Sequence, residues 1–191
     1  MDLYGDINKN YNINLHIITM ELKEKIILVG KSSSGKDYLA KWFKSRGFKK
    51  SVMHTTRPIR DGEVDGETYH FISSESFTEM IHKDEFYEFD NFIGWFYGST
   101  NIDFNDSQVF IKTPRGVSKI TPEDRKNCFV IYLDMPDEVL LERLSKRGDN
   151  NDSIERRMNS DKDDFKDFTD YDLKICDNEY DPEFILSLLQ Y

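Results

Sequence analysis

Apolar residues along this chain gather in short runs, and between the runs they recur with helical spacing. Lys25-Ile26-Ile27-Leu28-Val29 is nearly unbroken, as a strand buried on both faces of a parallel sheet should be. Residues 128–133 form a second strong strand, 108–112 and 173–176 shorter ones, and 48–53 reads as another. Residues 36–46 carry Tyr38, Leu39, Trp42 and Phe43 on one helical face, with Gly47 where a helix commonly ends. Further helices are predicted over 74–82 with Ser74 as cap, from Pro136 through Arg147, from Ser153 to about Phe168, and over 182–189. Strands alternating with helices imply a parallel α/β sheet. Residues 54–104 interrupt the alternation. Their first part is polar and punctuated by Pro58, Gly62 and Gly66, residues 86–97 are aromatic and strand-like, and the whole reads as an inserted β-rich lobe.

Between the first strand and the first helix lies Gly30-Lys31-Ser32-Ser33-Ser34-Gly35-Lys36-Asp37. It fits the phosphate-loop pattern G-x-x-x-x-G-K and then departs from it, because the next position normally carries a Ser or Thr that holds magnesium. Strand, loop and helix in that order are the context the motif needs. Backbone N–H groups and the helix N-terminus then face a polyphosphate, and Lys36 adds a full positive charge. The alternative is a plain Gly/Ser turn.

The 191 residues suit one domain with a modest insertion. A net charge of −10 argues against nucleic acid as a partner, whose footprint is usually basic. Arg57, Arg60, Arg115, Arg143, Arg147, Arg156 and Arg157 nevertheless fall in or beside loops, which in an acidic protein suggests small anionic ligands. Arg156 reads as a solvent-facing helix residue. Cys128 and Cys176, both in apolar strand-like runs, read as buried thiols of a reducing compartment. No apolar run reaches membrane-spanning length, and the first 19 residues lack a signal-peptide pattern. A cytoplasmic protein without membrane partners is expected, with residues 1–21 as a flexible or loosely docked extension.

One long string is more specific than the loop: Thr55-Thr56-Arg57-Pro58-x-Arg60-x-Gly62-Glu63-Val64-x-Gly66-x-x-Tyr69-x-Phe71, continued by Glu85-Phe86-x-Glu88 and Tyr97-Gly98-Ser99-Thr100. With the loop, it resembles the guanylate kinase family over roughly residues 24–190. The resemblance implies a P-loop NTPase fold of three layers around a parallel central sheet. It implies a core of 22–53 and 105–191, a monophosphate-binding lobe of 54–104, and a helical lid at about 145–162. It implies magnesium-dependent phosphoryl transfer from ATP to GMP or dGMP by a monomer or homodimer. Gly30, Lys31, Ser32, Ser33, Ser34, Gly35, Lys36 and Asp37 would hold ATP. Arg57, Arg60, Tyr69, Glu88, Tyr97 and Ser99 would hold GMP, with Glu88 accepting from guanine N–H groups. Lys36, Arg57, Arg143, Arg147 and Arg157 would neutralise the transferring phosphoryl group, in a reaction dominated by positioning and charge.

The sequence departs from the family pattern in three ways. Met53 stands near where the family usually has a small hydroxyl residue that helps read guanine, Ile111 and Thr113 replace two strand aspartates, and Asp37 replaces the metal-binding hydroxyl. Asp37 reads as a relocated metal carboxylate, since magnesium is usually held by one or two carboxylates plus phosphates. The competing account is an acid placed at a helix start. The same G-K-D is found in phage deoxynucleoside monophosphate kinases, so the divergence resembles a phage- or virus-type member. Two alternatives follow from the departures: a monophosphate kinase of relaxed base specificity, and a catalytically inactive binding module.

Overall fold

The computed structural model describes residues 11–13, 23–92, 94–147 and 153–189. In chain order its first elements are β1 (Tyr11–Ile13), β2 (Lys25–Gly30), α1 (Lys36–Ser45), β3 (His54–Thr55), β4 (His70–Phe71) and α2 (Ser74–His82). Then come β5 (Phe86–Phe92), β6 (Trp95–Thr100), α3 (Asn101–Asp106), β7 (Val109–Lys112), α4 (Pro114–Ser118) and α5 (Pro122–Lys126). The last are β8 (Cys128–Leu133), α6 (Asp137–Arg147), α7 (Ile154–Phe165), β9 (Leu173–Ile175) and α8 (Pro182–Leu189).

The main sheet has the order β1-β9-β8-β2-β7. Four strands are parallel, and β1 adds an antiparallel edge on β9 with Tyr11 opposite Ile175. The remainder of the predicted extension, residues 1–10 and 14–21, lies outside the described residues. Strand period fixes the layers. Ile26 and Leu28 of β2 join Leu39, Ala40 and Phe43 of α1 with Ile185 of α8 on one face, while Ile27 and Val29 join Phe104, Phe110 and Val117 on the other. A second sheet, β4-β3-β6-β5, forms the lobe, and Phe77 of α2 stacks on Phe86 against it. Residues 148–152 of the predicted lid lie outside the described residues.

Several sequence expectations are corrected. Residues 48–53 form no strand. Only Lys50 bridges Val109, because polar Lys49, Lys50 and Ser51 interrupt the run. The aromatic segment 86–97 is a hairpin, turned at Gly94 with a φ of 83°. Helix α2 is capped by Ser73, whose Oγ accepts from the Ser76 amide at 3.1 Å, rather than by Ser74. Tyr38 lies off the packed face of α1 and is 62% exposed. Cys128 is buried, but Cys176 follows the inward-facing Ile175 and is exposed. The short helices α3, α4 and α5 carry no long periodicity; Ser or Thr caps start each, from Thr100, Thr113 and Thr121.

Candidate functional site

Strand β2 ends against β8 so closely that a Cβ on Gly30 would lie 2.5 Å from Ser34 Oγ and 2.7 Å from the Leu133 carbonyl oxygen. Only glycine lets the loop turn there. Gly35 then caps α1 with a φ of 103°, and no side chain covers the first amides of the helix. The Lys36 ammonium donates to the carbonyls of Gly30 and Lys31 at 2.6 and 2.8 Å, which draws the loop around it. Arg143 of α6 donates from Nη1 to the Ser33 carbonyl at 3.1 Å and from Nη2 to Asn178 Oδ1. The Ser32 amide donates to Asp161 Oδ2 of α7 at 2.8 Å. Burial pushes the Asp161 carboxyl above the ordinary range, although the Ser32 bond pulls it down.

Facing the loop across the cavity is the lobe's arginine turn. Arg57 is 4% exposed and donates from Nη2 to Glu63 Oε1 at 2.8 Å and from Nη1 to the Pro58 carbonyl at 2.7 Å. The second Glu63 oxygen accepts from the Arg60 amide at 2.9 Å, so one carboxylate ties both arginines into the turn. The Arg57 guanidinium also lies 5.6 Å from the Tyr69 ring centroid, and Tyr69 meets Tyr97 at 5.9 Å. Burial pushes the Tyr69 hydroxyl well above the ordinary phenol range, so it stays a proton donor.

At the far end of the lobe a register shift between Phe86 and Glu88 sets Glu88 opposite Ser99. Such a bulge re-aims a side chain. Ser99 Oγ donates to Glu88 Oε1 at 3.1 Å, and Lys112 of β7 pairs with the same oxygen at 2.5 Å. Asp90, two residues along and on the same side of β5, accepts from Thr113 Oγ1 at 3.2 Å.

These groups share one cavity of about 570 Å³. Gly30, Ser32, Ser33, Lys36 and Asp37 line its loop end; Arg57, Arg60, Tyr69, Tyr97 and Glu88 line the lobe; and Arg157 of α7 closes one side. Met53, Ile111 and Thr113 line it as well. The other predicted site residues stand elsewhere. Lys31 turns to Asp137 on the surface at 3.0 Å, Ser34 is buried behind the loop, and Ser99 sits behind Glu88. Arg143 reaches the loop from outside the cavity lining. Arg147 ends α6, and its side chain lies outside the described residues. Arg156 is exposed.

Sequence reasoning missed several lining residues. Lys41 and Lys44 stand four and seven residues after Asp37, a helical spacing that puts all three along α1's cavity side together with Lys50. Burial draws the Lys50 ammonium below the ordinary lysine range, with Asp37 pulling the other way. Asp161 stands between Arg157 and Phe165 at four-residue intervals, and all three are buried on one face of α7. Lys112 betrays itself as the single charged residue within the apolar run of β7.

The donor set can be tested against magnesium. Among the described residues no three His, Cys, Asp or Glu side chains converge as a preformed cage. Asp37 offers one carboxylate at the loop's end, beside the space a polyphosphate would occupy. One carboxylate completed by phosphate oxygens and water suits an ion that arrives with its nucleotide.

The family model described as guanylate kinase matches residues 22–185. The guanylate kinase of Vibrio cholerae is 33% identical over 140 residues, covering 70% of this chain and 68% of that protein. That of Mycoplasmopsis pulmonis is 33% identical over 177 residues, covering 85% and 90%. Among solved structures, guanylate kinase from Anaplasma phagocytophilum superposes with a TM-score of 0.64 at 23% identity, over 88% of this chain and 84% of that one, a likeness in fold.

Proposed function

The chain belongs to the guanylate kinase family, and on that premise we propose that it is a phosphotransferase moving the γ-phosphoryl group of ATP to GMP or dGMP. One observation carries the reading: the phosphate loop with Lys36 and the arginine turn with Arg57 and Arg60 face each other within a single cavity. Phosphoryl transfer asks for two phosphates held in line and for neutralised charge.

In this reading Arg57 and Arg60 fork onto the acceptor phosphate, and the Tyr69 and Tyr97 hydroxyls donate to it. The loop amides take the donor phosphates, and the Lys36 ammonium leaves the carbonyls of Gly30 and Lys31 to follow the moving charge. Arg157 completes that screen from α7, and Arg143 braces the loop through Ser33; the part given to Arg147 rests on the family resemblance alone. Closure of α6 and α7 would exclude water. Magnesium supplies charge neutralisation on the phosphates when bound, and Asp37 would hold it. Asp37→Ser is expected to raise the magnesium concentration needed for half-maximal turnover by roughly tenfold, the loss of one charged ligand contact. A magnesium titration that leaves that midpoint and turnover unchanged removes Asp37 from the metal.

A second reading, relaxed base selectivity, is favoured by Met53, Ile111 and Thr113 lining the cavity where the family pattern carries guanine-reading groups. A coupled assay across the common ribo- and deoxyribonucleoside monophosphates is expected to show GMP and dGMP used best, because Glu88 favours a base with adjacent N–H donors. Preference for a pyrimidine or adenine acceptor would sink the guanine assignment. An inactive binding module is disfavoured by the retention of Lys36 and Arg157 in the cavity, and measurable ATP turnover excludes it.

No helix among the described residues is long and apolar enough to cross a membrane. In this reading the cavity takes two small nucleotides.

A further inference from the structure

The base end of the cavity contains a buried ammonium. Lys112 has a side-chain exposure of 0% and its partner Glu88 of 2%. Its Nζ donates to Glu88 Oε1 at 2.5 Å and to Ser99 Oγ at 3.1 Å, while the rings of Phe110 and Phe104 lie 5.4 and 5.9 Å away. The Ser99 hydroxyl donates to the same Oε1. Both bonds to Glu88 therefore fall on one oxygen. Oε2 accepts no hydrogen bond from the described residues, and it lies 3.5 Å from where a Cβ on Gly116 would stand, at the cavity wall.

As a device of stability alone this pair is a poor choice, because a buried ion pair often gains nothing over apolar residues of the same volume. Its geometry instead suits a task. We propose that Lys112 is a positioning residue for base recognition: its ammonium pins Oε1 and leaves Oε2 aimed at the N–H donors of the acceptor base. This rests on the reading of Glu88 as the acceptor of those donors. Other charges face the pair at greater remove. Asp90 shares β5 with Glu88 and is itself approached by Arg115 at 3.6 Å and Lys119 at 3.8 Å. Lys25 lies across the Phe104 ring at 4.7 Å from its centroid. Lys112 is the cation in direct contact with Glu88.

The test measures KM for GMP and for ATP, with melting temperature alongside. The variants are Lys112→Met, Lys112→Gln, Glu88→Gln and the double variant Lys112→Met/Glu88→Gln. Lys112→Met is expected to raise the GMP KM by roughly tenfold or more, as expected when a charge-assisted contact is lost, with the ATP KM unmoved. In the Glu88→Gln background the Lys112 substitution adds nothing to the GMP KM, since the amide offers the ammonium no charged oxygen to pin. Lys112→Gln gives the same readings with less disturbance of volume and stands in if the Met variant fails to fold. If both Lys112 variants keep a wild-type GMP KM while Glu88→Gln raises it, the inference falls and the base assignment survives. If Glu88→Gln also leaves the GMP KM unchanged, the base assignment falls and takes the inference with it.

Discussion

Lys36→Ala is expected to lower kcat by roughly 10²–10³-fold, the usual cost of removing a positioned charge from a transition state. The ammonium sits at the loop's mouth and is the loop's one full positive charge turned into the cavity, Lys31 being paired with Asp137 on the surface. Its two bonds to the Gly30 and Lys31 carbonyls show that it reaches the whole depth of the loop. The acceptor's phosphate is assigned to the lobe, so GMP binding measured by calorimetry without ATP should stay close to wild type. A large loss of GMP binding together with kcat would mean that the loop and the lobe do not divide the two nucleotides as proposed. A kcat within threefold of wild type would remove Lys36 from the chemistry.

Arg57→Ala should act on the opposite wall and in two ways at once. The guanidinium is 4% exposed, and the Glu63 side chain it pairs with is 12% exposed. Removing one partner of such a pair leaves the other charge buried, at a cost of roughly 3–5 kcal/mol. The melting temperature should fall accordingly, and the GMP KM should rise by about 10²-fold as a forked phosphate contact is lost. The pH dependence separates the structural part. Burial alone would raise the Glu63 carboxyl, but the bonds from Arg57 and from the Arg60 amide hold it below its ordinary range. A depressed acid contributes stability that is complete above its unfolded pKa and is lost as pH falls through the folded one. Wild-type melting temperature should therefore drop on acidification below about pH 4.5, the ordinary glutamate range, and that limb should flatten in Arg57→Ala. Unchanged acid limbs in the two proteins would show that the Arg57–Glu63 pair does not govern the turn.

How far the chain discloses itself depends on sequence distance. β2 was legible because four apolar residues in a row, Ile26 to Val29, have few other uses, and the loop and α1 followed from Gly30, Gly35 and Lys36. Glu88, Tyr69 and the arginine turn were legible through their spacing within one string. What escaped were pairings between distant segments. Lys112 meets Glu88 across 24 residues, and Asp161 meets the Ser32 amide across 129. Each depends on how the sheet and α7 are brought together, which no local pattern states. The misread segment 48–53 is of the same kind. The Ser51 amide donates to Val109 and the Lys49 carbonyl accepts from Gln108, so the segment follows β7 closely without sustaining a ladder. The same cause hid the cations of α1, since their spacing was visible but the cavity they face was not.

The contact between Asp161 and the Ser32 amide bears on how affinity at the loop should be understood. The loop is already supplied with an anion of the protein's own making, held at 2.8 Å by one of the loop's own backbone donors. A polyphosphate using that donor must take it from a resident carboxylate, so its binding is a substitution rather than an addition. The measured strength of ATP binding is then the difference between two anions competing for one amide. A proton on Asp161, favoured by its burial, weakens the resident and not the newcomer.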